Sequence, residues 1–220
     1  MRIVIGRKVE ELTGGALRAR IDGRRVTLDI GAGDGAFAYR YARAHADRFV
    51  IALDPVAENM REASAKAARK PARGGAENVV FAVASAERAP DELRGLADEI
   101  FVTLPWGSLM RGLILGDEDV LNGIARMARD GATVTIVLNT RIFEDPVPVD
   151  ARDLPELSPE YARATLAPRY AAHGIEIERA EWVDADAFGA LETTWAKRLA
   201  HRRAPRSLGI VARVAGRPAD

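Results

Sequence analysis

Short apolar runs alternate with amphipathic stretches along most of this chain. Residues 26–30, 48–53, 78–83, 99–104 and 132–138 are dominated by Val, Ile, Leu, Phe and Ala. Strands that are apolar on both faces belong in a mostly parallel sheet covered by helices on both sides. The helices are predicted over 35–45, over 56–70 and within 108–128, with Gly131 supplying the turn before the fifth run. The rhythm breaks at 143–159, which holds Pro146, Pro148, Pro155, Pro159 and several acids. We read residues 140–160 as an ordered excursion between a strand and a helix. A helix over 160–173, a strand over 175–183, a helix over 186–200 and a strand over 208–214 complete the pattern. Residues 1–25 are predicted to form a hairpin extension that turns at Gly6-Arg7-Lys8. The expected architecture is one α/β domain of the Rossmann-like kind over 1–220.

Composition narrows the chemistry. With 32 basic and 32 acidic side chains the formal net charge is zero, so a uniformly basic coat for nucleic acid is excluded, though local patches are not. There is no cysteine, which removes disulfides, thiolate zinc sites and cysteine nucleophiles. His45, His173 and His201 show no metal-ligand spacing, so no metal is expected. No run approaches the roughly 18 apolar residues of a membrane span. A cytoplasmic monomer is the expectation.

The strongest chemical signal is LDIGAGDG at residues 28–35, set between an apolar strand and a helix. Gly31, Gly33 and Gly35 let the backbone turn sharply and approach a ligand without a Cβ. Asp29 stands at the strand end, where open α/β sheets bind ligands. Asp54 ends the next strand, about twenty residues on, where an acid accepts ribose hydroxyls. The spacing GxGxG differs from the dinucleotide fingerprint GxGxxG, and no Walker loop is present. An adenosine cofactor without a pyrophosphate fits best, and S-adenosylmethionine (SAM) is the common one. A nicotinamide enzyme and a turn without any ligand are the alternatives. Ser85-Ala86-Glu87 follows the third strand and is placed to line the adenine side; Glu87 as a solvated acid at a helix start stays open beside that reading.

Two tryptophans and a segregation of charge point to a large planar substrate. Trp182 follows Ile175 and Ile177 and is expected to pack in the core. Trp106, in TLPWGSLMRG, comes directly after the fourth strand, and Trp195 lies in LETTWAKRL between the last two strands. Two indoles at one pocket would clamp a base, each stack contributing about 1–3 kcal/mol. Arg61, Lys66, Arg69, Lys70 and Arg73 crowd one segment, with Lys66, Arg69 and Lys70 on one helix face and Arg73 in a loop beyond Pro71. Lys197, Arg198, Arg202, Arg203 and Arg206 form a second cluster, to which Arg2, Arg7 and Lys8 add. Such patches are often plain solvated faces; beside a stacking residue they suggest docking on folded RNA.

LDIGAGDG, SAKAARKPARGG (64–75), LPWGSLMRG (104–112), LAPRY (166–170) and LETTWAKRL (191–199) together resemble the aminoglycoside-resistance 16S rRNA (adenine 1408, N1) methyltransferases. The similarity runs from about residue 26 to 206, and its tryptophan motifs are more specific than the glycine turn. The resemblance implies a seven-stranded, mostly parallel sheet whose last strand is antiparallel. It implies SAM contacts by Asp29, Gly31, Gly33, Asp54 and Glu87 beside Ala86, with Thr103, Leu104 and Pro105 near the reactive end. Trp106 and Trp195 would hold a flipped adenine, with Thr193 nearby. Arg198 and Arg203 match family positions important for activity. Lys66 and Lys70, flanked by Arg69 and Arg73, would dock the 30S subunit with Arg7 and Lys8. Adenine N1 carries a free lone pair, so no catalytic acid or base is expected. The alternatives are a SAM enzyme acting on another RNA base or a small metabolite, and a ribosome-binding relative without turnover.

Overall fold

The computed structural model describes residues 1–140, 153–183 and 207–215. Its strands are β1 (Arg2–Ile5), β2 (Lys8–Glu11), β3 (Arg25–Ile30), β4 (Arg48–Asp54), β5 (Val79–Val83), β6 (Ala97–Thr103), β7 (Ala128–Asn139), β8 (Ile175–Val183) and β9 (Ser207–Val214). They form one sheet in the order β2-β1-β5-β4-β3-β6-β7-β9-β8. Strands β5, β4, β3, β6 and β7 are mutually parallel. β9, the last in the chain, runs antiparallel between β7 and β8. The expected seven strands are therefore β3 to β9, and the β1–β2 hairpin extends their sheet along the β5 edge.

Helices cover both faces, as the doubly apolar central strands require. On one side α1 (Gly14–Ile21), α4 (Gly107–Leu115) and α5 (Glu118–Met127) bury Leu17, Leu113 and Ile124 against Leu28, Ile51 and Ile100. On the other, α2 (Ala36–Ala44) and α3 (Arg61–Ala67) bury Ala38, Ala42, Ala63 and Ala67 against Val50, Ala52 and Phe81. Small alanines there let the helices approach the sheet closely.

Several expectations need correction. The first 25 residues are a hairpin followed by a helix: Thr13 caps α1 through the Ala16 N–H, and Leu17 and Ile21, one turn apart, are buried. Gly14-Gly15 at its start hides the helical signal. The helix expected over 56–70 is only α3; its first residues are taken up in turns, and past Ala67 the chain curls back so that the Ala76 N–H bonds the Ala67 carbonyl. Lys66 is thus on the last turn, while Arg69 and Lys70 lie beyond it and share no helix face with it. The span 107–127 holds two helices, separated by Gly116 at φ +70° and begun again by Asp117, whose carboxylate accepts the Asp119 and Val120 N–H groups. Gly131, at φ +77°, lies within one long β7.

The helix expected over 160–173, α6, is built from an α turn (Pro159–Tyr161), a π-helical turn (Ala162–Leu166) and a last α segment (Ala167–Ala171). Pro168 lacks an N–H and its ring crowds the carbonyl four residues back, which a wider π turn relieves. Of the proline-rich excursion, Pro155 and Pro159 are described; Pro146 and Pro148 lie outside the described residues, as does the helix expected over 186–200. Among the described residues, no helix is long and apolar enough to cross a membrane and no metal-binding cluster is found.

Candidate active site

Strand order reverses at β3: the chain moves outward through β4 and β5, then returns to place β6 on the other side. Ligands of open α/β sheets sit in the crevice at such a switch point. Here it is a cavity of about 460 Å³, at the carboxyl ends of β3, β4, β5 and β6. Asp29, Gly31, Gly33, Asp54, Ala86, Glu87, Thr103 and Leu104 all line it, together with Pro105 and Trp106.

The glycine turn is held from below. Gly31 and Ala32 both donate their N–H groups to the Leu53 carbonyl, at 2.8 and 3.0 Å. Gly31 and Gly33 adopt φ +72° and +56°. A Cβ on Gly31 would lie 2.7 Å from the Leu109 side chain, whereas one on Gly33 would meet nothing within 4 Å. Gly33 faces open cavity, so its missing side chain is room for a ligand.

Asp54 does two jobs. One carboxylate oxygen accepts the Gly33 N–H and the other the Val56 N–H, both at 2.9 Å. It thus ties the glycine turn to the segment after β4. A carboxylate has about four acceptor positions, so two remain for hydroxyl donors. Glu87 joins two loops in the same way: the Ser108 hydroxyl donates to its Oε1 at 2.8 Å, linking the turn after β5 to the start of α4. Burial opposes ionisation of Glu87, but hydrogen bonds from its own backbone N–H, Ser108 and Ser85, with Arg88 nearby, hold its carboxyl below the ordinary value.

Among the described residues, three buried polar atoms here have no hydrogen-bond partner: Asp29 Oδ2, Glu87 Oε2 and Thr103 Oγ1. Leaving such groups unsatisfied costs about 1–3 kcal/mol each, and all three belong to residues that line one cavity. Among the described residues its lining also carries four carboxylates, Asp29, Asp34, Asp54 and Glu87, and no Lys or Arg. Burial, then the charges of Asp54 and Asp34, push the Asp29 carboxyl up to about 7. The cavity is made for a small cationic ligand rich in N–H and O–H donors, and would repel a pyrophosphate. SAM carries a sulfonium and an ammonium, two ribose hydroxyls and an adenine amine. The residues present fit it.

At the mouth, Leu104 holds φ +51°, a left-handed conformation costing roughly 1–2 kcal/mol for a residue with a Cβ, secured by its N–H to the Val137 carbonyl at 2.8 Å. Buried Pro105 follows, then Trp106, which is 47% exposed immediately before α4. Trp195, Thr193, Arg198 and Arg203 lie outside the described residues. Arg7, Lys8, Arg69, Lys70 and Arg73 are exposed, and Lys66 is half-buried with its amine 2.7 Å from Glu62. Trp182 is not a core residue: it is 40% exposed near the end of edge strand β8. A register shift between Ile177 and Arg179 breaks the alternation from which packing was expected.

Sequence reasoning missed Phe37, Val56, Asn59 and Leu109, which also line the cavity. It also missed Gly123, where a Cβ would stand 1.8 Å from the Ala86 carbonyl oxygen. The backbone of α5 therefore touches the turn that carries Glu87. A glycine inside an otherwise amphipathic helix was the available signal.

Residues 2–214 match the family model described as NpmA: 16S rRNA (adenine(1408)-N(1))-methyltransferase. The chain is 39% identical over 202 residues to a 16S rRNA (adenine(1408)-N(1))-methyltransferase of Streptoalloteichus tenebrarius, covering 90% of this chain and 92% of that one. It is 36% identical to the protein of the same description from Escherichia coli, covering 81% and 82%. Among solved structures it superposes with TM-score 0.91 on a tryptophan-to-alanine mutant of the enzyme from Catenulisporales acidiphilia with cosubstrate SAM, at 35% identity over 100% of this chain and 99% of that one. The 16S rRNA methyltransferase KamB gives TM-score 0.89 at 36% identity, over 98% of this chain and 100% of that one.

Proposed function

Because the chain belongs to the 16S rRNA (adenine(1408)-N(1))-methyltransferase family, we propose that it methylates N1 of adenine 1408 on the 30S subunit and so confers aminoglycoside resistance. The observation that carries this reading is the anionic cavity with its three unpartnered polar atoms and an exposed indole at its mouth. Bound SAM supplies an electrophilic methyl group. Asp29, Asp54, Glu87 and Thr103 hold it: the two remaining acceptor positions of Asp54 suit ribose hydroxyls, and the free oxygens of Asp29 and Glu87 suit N–H donors.

Trp106 presents a ring face to a base lifted from the rRNA. Unstacking a base costs a few kcal/mol, and stacking on the indole offsets part of it. We assign Trp195 as the second face with Thr193 beside it, and Arg198 and Arg203 as rRNA contacts. Leu104 and Pro105 fix the approach to the reactive end. Adenine N1 attacks with its own lone pair, so no residue acts as general base, and rate comes from alignment. Lys66, Arg69, Lys70, Arg73, Arg7 and Lys8 face rRNA phosphates. We assign a single cytoplasmic domain acting as a monomer without metal.

Primer extension on 30S subunits treated with protein and SAM tests the assignment. A stop at adenine 1408 supports it. Methyl label in tRNA, or 30S binding without transfer, overturns it in favour of another acceptor or a non-catalytic relative.

A further inference from the structure

The hairpin β1–β2 is anchored at its base, where Ile3 and Val4 are buried in the core, but its turn projects beyond the sheet. β1 and β5 share a single ladder pair, Ile3 with Ala82. Below it the strands part, leaving a groove of about 350 Å³ lined by Val4, Ile5, Ser64, Arg69 and Val79 among others. The hairpin turn at Gly6-Arg7, with Gly6 at φ +59° and Ile5 opposite Lys8, stands at this open end. What fixes it is one side chain of α3. Ser64, 4% exposed, donates its hydroxyl to the Val4 carbonyl at 2.8 Å and accepts the Gly6 N–H at 2.9 Å. Two residues on is Lys66, and Arg69, Lys70 and Arg73 follow on the exposed loop beyond α3.

We propose that Ser64 is a positioning residue that latches the hairpin turn to α3, so that Arg7 and Lys8 form one rRNA-phosphate surface with Lys66, Arg69, Lys70 and Arg73. Beyond buried Ile3 and Val4 the exposed turn would otherwise let Arg7 and Lys8 take many positions, and ordering them on binding would weaken every phosphate interaction they make. The hydroxyl settles that order in advance by holding two backbone groups, the Val4 carbonyl in β1 and the Gly6 N–H in the turn. The inference rests on the docking reading above.

The test is a double-mutant cycle on 30S affinity, measured with the full chain over a range of salt. Arg7→Ala with Lys8→Ala should lower the slope of log affinity against log salt by about 1.4–1.8, the value for two phosphates no longer neutralised. Ser64→Ala alone should lower it by at least half as much, with SAM affinity unchanged. Added to the Arg7→Ala, Lys8→Ala background it should do nothing further, because the latch acts only through those two charges. Ser64→Thr, which keeps the hydroxyl, should restore the slope. If Ser64→Ala unfolds the protein, Ser64→Cys, similar in size but a poor hydrogen-bonding group, takes its place in the cycle. A normal slope in Ser64→Ala, or an equal loss in both backgrounds, overturns the latch. An unchanged slope in Arg7→Ala, Lys8→Ala overturns instead the docking role of the hairpin.

Discussion

Asp29 sits in a place where its charge is unwelcome until a ligand arrives. It is fully buried, faces Asp54 and Asp34, and its carboxyl is raised to about 7. For a group whose folded value lies above its unfolded one, the stability is complete below the unfolded value and is lost as pH rises through the folded one. The ligand-free protein should therefore lose melting temperature as pH rises from about 4, with the loss complete only above about 7. Asp29→Asn should flatten that loss while binding SAM poorly. A cation in the cavity favours the ionised carboxylate, so SAM affinity in the wild type should rise as pH passes through about 7, and binding below that value should take place with release of a proton. Calorimetry in two buffers of different ionisation enthalpy measures this; equal affinity on the two sides of that value would remove Asp29 from the cation site. Asp54 behaves differently under mutation. Its two oxygens already hold the Gly33 and Val56 N–H groups. Asp54→Ala should thus cost SAM affinity and also stability, about 1–3 kcal/mol for each N–H left without a partner, which a melting curve beside the binding isotherm will register. Trp106 is the converse case. At 47% exposed it lies outside the buried core, so Trp106→Ala should keep most of its melting temperature and SAM affinity but lose most single-turnover methylation, with Trp106→Phe retaining more. Full methylation by Trp106→Ala would end its role as a base platform.

The elements around the cavity are set by contacts that leave no room for adjustment, and two glycines separate packing from ligand space. A Cβ on Gly123 would collide with the Ala86 carbonyl oxygen at 1.8 Å, so Gly123→Ala must push α5 away from the turn that carries Glu87. We expect a lower melting temperature and weaker SAM binding together. Gly33→Ala meets no atom of the described residues within 4 Å but must hold φ +56° and fills cavity. It should weaken SAM binding strongly for a stability loss of only about 1–2 kcal/mol, the strain of that conformation. Parallel behaviour of the two variants would contradict this geometry. The same contrast explains what was legible beforehand. β3, β4 and β6 announce themselves as apolar runs because both faces are covered, and the glycine turn follows because its positive φ values demand those residues. α1 was hidden behind Gly14-Gly15, and the end of α3 was overrun because Lys66, Arg69 and Lys70 fit helical spacing although the chain has already curled back by the Ala76 to Ala67 hydrogen bond. Periodicity sees the local preference and not the long-range contact that overrides it. The close approach of Gly123 to Ala86, and the hydroxyl of Ser108 on Glu87, are contacts of this kind.

At the scale of the molecule, charge is gathered in local clusters. The described lining of the cavity holds four carboxylates and no basic side chain, while Arg7, Lys8, Arg69, Lys70 and Arg73 are exposed, so a chain of zero net charge can attract a cationic cofactor at one place and polyanionic RNA at another. The clustering is visible in the sequence, and within it Lys66 is engaged with Glu62 at 2.7 Å. That pair divides the patch into members of unequal worth. Reversing Lys70 and Arg73 to Glu places negative charge on an exposed loop, away from the cavity and the core, so the fold and SAM affinity should be untouched while 30S affinity falls sharply at low salt. The slope of log affinity against log salt should drop by about 1.4–1.8, again the value for two phosphates. Lys66→Ala should do less, because part of its charge is spent within α3 and freeing Glu62 leaves an acid at the surface whose repulsion salt will screen. Filter binding of labelled 30S subunits from about 50 to about 300 mM salt, a range wide enough for phosphate neutralisation to be competed away, ranks the variants. If Lys66→Ala weakens binding more than the double reversal does, the docking surface is centred on the helix and not on the loop beyond it. If neither variant changes the slope, the cluster is only a solvated face.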